Sequence, residues 1–319
     1  MIQTEHLSKT YRNGFKAVKD LNLHVNKGDI FGFLGPNGAG KTTTIRMLDG
    51  LLEPTAGQVF IDGMDVNKQA LEIKRLIGVV PESHGYYDWM TAKEYLQYFN
   101  SLFGGNEGDV YLEELLKKVG LREKKNVPVG EFSRGMKQRL GIAKALVNHP
   151  KIIFLDEPTL GLDPSGQRDI QQLIREINLN DGITVFITSH LLKDIEVLCN
   201  KVSIIKDGIL VEQGSIKELQ GRYVTAYTIL LQTNDNDLAL SLIQRLDGIS
   251  DVSKGERQLV VRLSEGLDAN EISTVKRNLA GTVFTAGIDI REMTHKTLSM
   301  EDIFFKVTES SQIGREAVL

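Results

Sequence analysis

The chain has 319 residues, of which 41% are hydrophobic and 25% charged, and its formal net charge is −4. This ordinary globular composition and length suit two domains, each with a core of its own. The mild acidity and the lack of any long run of Lys and Arg argue against a nucleic-acid partner. The single cysteine, Cys199, excludes an intrachain disulfide, as is typical of a reducing compartment.

The N-terminal residues lack the pattern of a signal peptide, and no apolar run approaches the roughly 18 residues of a membrane-spanning helix. We therefore expect any membrane contact to be made through another protein.

Short strands are predicted over the first 35 residues, and the last of them, DIFGFLG, is almost wholly apolar. Such a run is typical of a strand buried on both faces of a parallel sheet. Further strand patterns, including KIIFLDE and ITVFITS, alternate with helical patterns such as the one from residue 164. This alternation predicts an α/β core with a mostly parallel sheet.

Only helix patterns occur between about residues 90 and 147, where Thr91 and Glu94 have the spacing of a capping box. We therefore expect an α-helical lobe inserted into the core. After residue 220 the predicted order is βαββαβ, which is typical of an α+β ferredoxin-like domain, followed by a closing helix. The predicted domains are residues 1–220 and 221–319, and the second carries no recognisable catalytic residues.

One glycine-rich segment has the pattern G-x-x-x-x-G-K-[ST] between a predicted strand and a predicted helix, which is typical of a P-loop NTPase. Its residues are Gly35, Pro36, Asn37, Gly38, Ala39, Gly40, Lys41 and Thr42, and Thr43 follows. Glycines allow the backbone N–H groups to turn toward a phosphate. Lys41 adds a cation for the β- and γ-phosphates, and the Thr42 hydroxyl suits Mg²⁺. The segment predicts a nucleoside triphosphate site.

Two carboxylates, Asp156 and Glu157, end the buried strand pattern from Ile152. Beside a phosphate loop, Asp156 is placed to hold magnesium through water, and Glu157 to orient or deprotonate the attacking water. A second anion site is predicted at Ser133 and Gly135, because the start of the following helix presents unpaired N–H groups.

With these motifs in order, residues 1 to about 220 resemble the ATP-binding subunits of ABC transporters. Ser133-Arg134-Gly135-Met136 corresponds to the signature motif, Asp156-Glu157-Pro158-Thr159 to the magnesium and catalytic carboxylates, and Leu160–Asp163 to the D-loop. The resemblance implies that His190 is the switch histidine and that Tyr11 stacks on adenine. It also implies that Ser133 and Gly135 contact the γ-phosphate of ATP held by a second subunit.

The resemblance further implies which proteins this subunit binds and where in the cell it lies. The partners are a second ATPase subunit, in a homo- or heterodimer, and a multi-span membrane permease contacted by Tyr86, Tyr87 and Trp89. The subunit would then be cytoplasmic and peripheral on the inner face of the membrane. Pro81-Glu82 and the ending Ser299–Lys306 are similar to ABC-2-type export systems, which favours export.

The sequence departs from the family pattern at two places. Glu82 replaces a glutamine that contacts magnesium and the attacking water, and it would add negative charge near the phosphates. In the signature, Phe132, Arg134 and Met136 replace Leu, Gly and Gln. Arg134 either adds a cation near the partner's phosphate or points to solvent.

Two other classes of P-loop protein are alternatives to a transporter subunit. A soluble ABC-type ATPase acting on ribosomes or DNA would carry two cassettes or long coiled-coil insertions with basic segments, and this chain has one cassette. A P-loop kinase or GTPase-like switch is disfavoured by the signature, by Asp156-Glu157-Pro158 and by His190.

Overall fold

The computed structural model describes residues 1–83, 85–105, 107–223, 227–264, 266–296 and 298–316. The chain forms two compact units. The first comprises Met1–Ile216 together with the chain from Phe304 onward, and the second is Lys217–Ile303. The domain boundary expected near residue 220 falls inside the helix Ile216–Tyr223 and stays a prediction.

The strands of the described residues are β1 (Ile2–Thr10), β2 (Lys16–Leu21), β3 (His24–Val25), β4 (Ile30–Leu34), β5 (Ala56–Ile61), β6 (Met64–Asp65), β7 (Ile77–Val80), β8 (Ile152–Asp156), β9 (Thr184–Ser189), β10 (Lys201–Lys206), β11 (Ile209–Ser215), β12 (Thr228–Thr233), β13 (Ile249–Lys254), β14 (Leu259–Leu263) and β15 (Ile290–Lys296). The α-helices are α1 (Lys41–Leu48), α2 (Ala70–Leu76), α3 (Ala92–Leu102), α4 (Asp109–Lys118), α5 (Arg134–Leu146), α6 (Pro164–Asp181), α7 (Leu192–Leu198), α8 (Ile216–Tyr223), α9 (Asn236–Ile243), α10 (Ala269–Thr285) and α11 (Met300–Glu316). Two short 3₁₀ helices are Arg122–Lys124 and Val129–Glu131.

A six-stranded sheet with the order β11-β10-β4-β9-β8-β7 forms the centre of the first unit. Its pairs are parallel except for the hairpin between β10 and β11, so the sheet is mixed. Every residue of β4, β8 and β9 is buried. Because parallel strands end at the same edge of a sheet, the segments after β4, β7, β8 and β9 come together there.

A second sheet of the first unit has the order β2-β1-β5-β6, with β3 also paired to β1, and its pairs are antiparallel. Apolar side chains of β1, β2 and β5 join those of β4, β8 and β9 in one hydrophobic core. The ring of Phe186 lies 5.6 Å from those of Phe31, Phe33 and Phe154 in that core. This packing holds the strand that enters the glycine-rich segment.

Helices α3, α4 and α5 form the helical lobe between about residues 90 and 147, as the sequence predicts. The capping box at the start of α3 is present, with Glu94 N donating to Thr91 Oγ1 and Thr91 N to the Glu94 carboxylate. Ser133 is the N-cap of α5, and its hydroxyl accepts from Met136 N at 3.3 Å. The signature segment therefore does begin a helix.

The second unit contains β12, α9, β13, β14, α10 and β15. Its four strands form an antiparallel sheet with the order β13-β14-β12-β15. The sheet and the two helices share a separate hydrophobic core that includes Leu231, Val261, Leu279 and Val283. Among the described residues, no helix is both long enough and apolar enough to cross a membrane.

Candidate nucleotide site

The glycine-rich segment between β4 and α1 forms a tight loop against neighbouring backbone. Gly40 has φ +108°, and a Cβ there would lie 2.5 Å from the Ala17 carbonyl oxygen. A Cβ on Gly35 would lie 2.5 Å from the Ile205 carbonyl oxygen. Only glycine fits at these two positions, which explains their place in the pattern.

Lys41 begins α1, and its side chain folds back over the loop. Its ammonium donates to the carbonyl oxygens of Gly35 at 2.7 Å and Pro36 at 3.3 Å. Burial lowers the pKa of Lys41, while the negative charges of Glu157 and Asp156 oppose that shift. The structure therefore holds a largely buried cation where the sequence predicts one for phosphate.

A cavity of about 470 Å³ opens at the edge where the parallel strands end. Its lining contains most residues of the predicted nucleotide site, Leu160 of the predicted D-loop, and Phe15 and Ala17, which sequence reasoning did not single out. The lining residues are Phe15, Ala17, Pro36, Asn37, Gly38, Gly40, Lys41, Thr42, Thr43, Glu82, Asp156, Glu157, Leu160 and His190. Gly35 and Ala39 shape the loop from its buried side.

Two aromatic residues lie near the mouth of this cavity. The Tyr11 hydroxyl lies 3.2 Å from Thr43 Oγ1, and the rings of Tyr11 and Phe15 are stacked 6.5 Å apart. The turn through Asn13 and Gly14 brings them together, because Tyr11 N donates to Phe15 O at 2.9 Å. Phe15 lines the cavity and is 55% exposed, so it offers a ring face to a base. The sequence of this turn alone does not predict that either ring contacts a base.

Asp156 is the last residue of β8 and Glu157 follows it, and the two carboxylates have different partners. Asp156 is buried at the strand end and accepts from the Thr188 hydroxyl of β9. Glu157 has φ +51°, an uncommon value for a residue other than glycine, and its N–H donates to Thr188 O at 3.1 Å. This left-handed turn places the Glu157 carboxylate against His190, whose Nδ1 lies 2.8 Å from Oε2.

A buried hydrogen-bond network lies behind these residues. The Thr159 hydroxyl donates to Asp194 of α7, whose other oxygen accepts from Gln171 Nε2 at 3.0 Å. Both Thr159 and Asp194 are buried. The network thus connects the residue two positions after Glu157 to the helix that follows His190. Sequence reasoning missed Asp194, although an acidic residue on the first turn after His190 was a visible signal.

The second predicted anion site is separate from the cavity. Ser133 is exposed at the start of α5, and in the described part of the chain no residue of α5 lines the cavity. Arg134 is exposed as well, and its guanidinium lies against Gly161. In one subunit Ser133 is therefore exposed and lies outside the lining of the nucleotide cavity.

The described residues contain no cluster of three His, Cys, Asp or Glu side chains that could hold a metal by themselves. The Thr42 hydroxyl and Asp156 nevertheless bring oxygen donors to one wall of the cavity. Mg²⁺ typically takes one or two protein oxygens and fills its shell with water and phosphate oxygens. The donor set fits magnesium bound together with a nucleotide.

Comparison with known proteins agrees with this geometry. Residues 18–160 match the ABC transporter family. The bacitracin transport ATP-binding protein BcrA of Bacillus licheniformis is 39% identical over 98% of this chain and 99% of its own length. The chain belongs to the ATP-binding subunits of ABC transporters.

Other members of the family match as well. The linearmycin resistance ATP-binding protein LnrL of Bacillus subtilis (strain 168) is 32% identical over 97% of this chain and 98% of its own length. A dimeric post-hydrolysis structure of the ATP-binding cassette MJ0796, bound to ADP and Pi, superposes with a TM-score of 0.62. It is 29% identical and covers 68% of this chain and 99% of the cassette.

The family and the fold establish the general activity of this ABC subunit. It has the α/β fold of an ABC cassette, binds nucleotide and is an ATPase. ABC subunits of this kind dimerise and pair with membrane permease components. The expectation of an ABC ATPase is confirmed, and the alternatives of a ribosome-directed or DNA-directed ATPase and of a kinase-like switch are not supported.

Proposed function

We propose that this ABC subunit powers export through a separate multi-span permease. The observation that carries the proposal is the length of the similarity to BcrA and LnrL, which covers at least 97% of this chain. The MJ0796 cassette covers only 68% of it. The relatives named for bacitracin transport and linearmycin resistance therefore share the part of the chain that a bare cassette lacks.

We also infer that the second unit is a ferredoxin-like α+β domain. The support is the order β12, α9, β13, β14, α10, β15 and the sheet order β13-β14-β12-β15. Its proposed role is to strengthen dimerisation. The proposed place of the subunit is the inner face of the cell membrane, where the exposed rings of Tyr87 and Trp89 and the half-buried Tyr86 would contact the permease.

In the proposed reaction, the loop Gly35–Thr43 encloses the β-phosphate and Lys41 contacts the β- and γ-phosphates. Magnesium, held by Thr42 and Asp156 with Glu82 nearby, would supply charge neutralisation at the phosphate oxygens. Tyr11, with Phe15 beside it, would stack on the adenine.

Glu157 is the proposed general base. It accepts a proton from water as the water oxygen bonds to the γ-phosphorus, and the bond from that phosphorus to the bridging oxygen of ADP breaks. His190 is already hydrogen bonded to Glu157 and would hold that carboxylate and donate toward the γ-phosphate. The products are ADP and inorganic phosphate.

Ser133 and Gly135 are the proposed contacts to ATP held by the other subunit of a head-to-tail dimer. The support is that Ser133 is the exposed N-cap of α5. Among the described residues, α5 contributes none to the nucleotide cavity of the same subunit. A helix start with free N–H groups attracts an anion. Two such contacts would close the dimer around two ATP molecules, and loss of the γ-phosphate would open it. The second subunit would be a copy of this chain or a related one.

Glu157→Gln tests this proposal, because it keeps the shape of the site and removes the base. We expect it to elute as a dimer with saturating ATP and Mg²⁺ and as a monomer with ADP. As a matched control, Glu157→Gln combined with Ser133→Arg should still bind ATP but remain monomeric. If Glu157→Gln stays monomeric with ATP even when the permease is present, the dimer mechanism is wrong.

A further inference from the structure

Arg134 occupies a position where the family pattern has glycine, and the structure shows what its side chain contacts. An ideal Cβ placed on Gly161 would lie 2.5 Å from the Arg134 guanidinium carbon and 2.5 Å from one of its nitrogens. Real Cβ atoms do not approach other atoms so closely, so the guanidinium fills the space that any side chain at residue 161 would need. Arg134 and Gly161 therefore pack directly on each other.

Gly161 lies in the turn that follows the catalytic strand. Leu160 N donates to Glu157 O at 3.2 Å, and Leu162 N donates to Thr159 O at 3.2 Å, so the chain from Glu157 to Leu162 is a pair of overlapping turns. Gly161 has φ +70°, which lets its backbone face α5 without a side chain. The Arg134 guanidinium thus covers a turn that begins at Glu157.

The first turns of α5 are themselves fixed in place. The Tyr86 hydroxyl donates to Lys137 O at 2.5 Å, and the Lys137 ammonium lies 3.2 Å from Asp88. Gly130 N also donates to Asp88 O at 2.9 Å. These contacts anchor the helix from which the Arg134 side chain reaches the turn.

We propose that Arg134 is a positioning residue that holds the turn Leu160–Asp163 of its own subunit, and through it the direction of Glu157. It acts by packing a flat group on the Gly161 backbone, and its charge is not needed for this role. The proposal rests on the proposed role of Glu157 as the base. The sequence leaves open a contact to the partner's phosphate or to solvent; in this subunit the side chain is exposed and its guanidinium lies against Gly161.

Substitutions of matched size separate packing from charge. Arg134→Met keeps a long side chain without charge, Arg134→Lys keeps the charge without the flat group, and Arg134→Ala removes both. We expect Met to retain kcat within about threefold and Ala to lower it about tenfold, with the Kd of a fluorescent ATP analogue for the subunit unchanged. Active Lys and inactive Met variants would show instead that Arg134 acts as a cation on phosphate, which would overturn the proposal.

A double-mutant cycle tests the contact itself. Gly161→Ala should lower kcat, because its Cβ displaces the guanidinium. In the Arg134→Ala background the same change should cost at least threefold less in kcat, since only the strain at positive φ remains. If the two losses simply multiply, the residues do not act through each other and the proposal fails. Thermal unfolding of each variant confirms that it is folded.

Failure of the proposed function would be distinguishable from failure of this inference. A monomeric Glu157→Gln variant would refute the dimer, whereas the cycle between residues 134 and 161 reports a contact inside one subunit. The inference would also be overturned if the double-mutant cycle showed the expected coupling but the variants lost ATP affinity as much as they lost kcat. That result would indicate general damage to the fold.

Discussion

Thr159→Val removes the hydroxyl that joins the catalytic turn to α7 and leaves the shape of the side chain almost unchanged. The hydroxyl donates to Asp194, and both residues are buried. A buried hydrogen bond to a charged group contributes about 1.5–3 kcal/mol. Since Asp194 keeps its bond from Gln171 Nε2, we expect a loss of about 2 kcal/mol in the free energy of unfolding.

The activity loss should exceed what this destabilisation explains. Thr159 lies two residues after Glu157, and Asp194 lies four residues after His190. Loss of the bond therefore loosens both the turn after Glu157 and the helix after His190, which hold the hydrogen-bonded Glu157 and His190 side chains. A misplacement of a catalytic group by a fraction of an ångström lowers kcat by about tenfold. The measurements are steady-state ATPase rates at saturating ATP and urea unfolding. The chain's single tryptophan, Trp89, lies in the first unit and reports on that unit alone.

Thr4→Val is the matched control. The Thr4 hydroxyl is buried on β1, donates to Leu21 O at 2.8 Å and accepts from Leu23 N at 2.8 Å. Two neutral hydrogen bonds contribute about 1 kcal/mol each, so Thr4→Val should destabilise the subunit about as much as Thr159→Val. Its kcat should be unchanged. Equal kcat values for the two variants would refute the reasoning that the Thr159–Asp194 bond positions the catalytic residues.

Two further predictions concern the stability and the partner surface. Burial raises the pKa of Asp49 from its ordinary 3.8 to about 6, so its contribution favours the fold below pH 4 and is lost as the pH rises through 6. Asp49→Asn should therefore raise the free energy of unfolding at pH 8 by up to about 3 kcal/mol, with no gain at pH 4 in urea unfolding; an equal gain at both values would contradict this. Trp89→Ala should reduce the permease recovered with the subunit from detergent-solubilised membranes, because the ring is 74% exposed at the proposed contact. Phe284→Ala, which removes an exposed ring of the second unit, should leave that recovery unchanged, and equal recovery with both variants would remove Trp89 from the interface.

Local patterns were sufficient to predict the parts of the site that lie on single elements. Gly40 and Lys41 follow a fully buried strand, and Asp156 ends another, so strand alternation alone predicts that they meet at one sheet edge. The N-cap Thr91 was also predictable from a local pattern, since a capping box depends on a residue three positions away.

Contacts between distant segments could not be predicted in this way. Thr159 and Asp194 are 35 residues apart, and only the packing of α7 beside the catalytic turn brings them together. The antiparallel pairing of β1 with β5 depends equally on long-range register, so the sequence pattern indicated strands but not their separate sheet. Arg134 was ambiguous because nothing in the sequence of α5 says which turn lies opposite its first residue.

The direction of Glu157 depends on several elements besides its own strand. A left-handed backbone at a residue other than glycine costs about 1–2 kcal/mol, so φ +51° persists only where neighbours hold it. Thr188 of β9 accepts the Glu157 N–H, and His190 contacts the carboxylate. The Thr159–Asp194 bond holds the turn that follows, and in our proposal the Arg134 guanidinium does so as well. Several contacts therefore share the task of directing the Glu157 carboxylate. Arg134, which stands where the signature motif of the family has glycine, would add one more contact to the catalytic turn, and Ser133 still caps the helix.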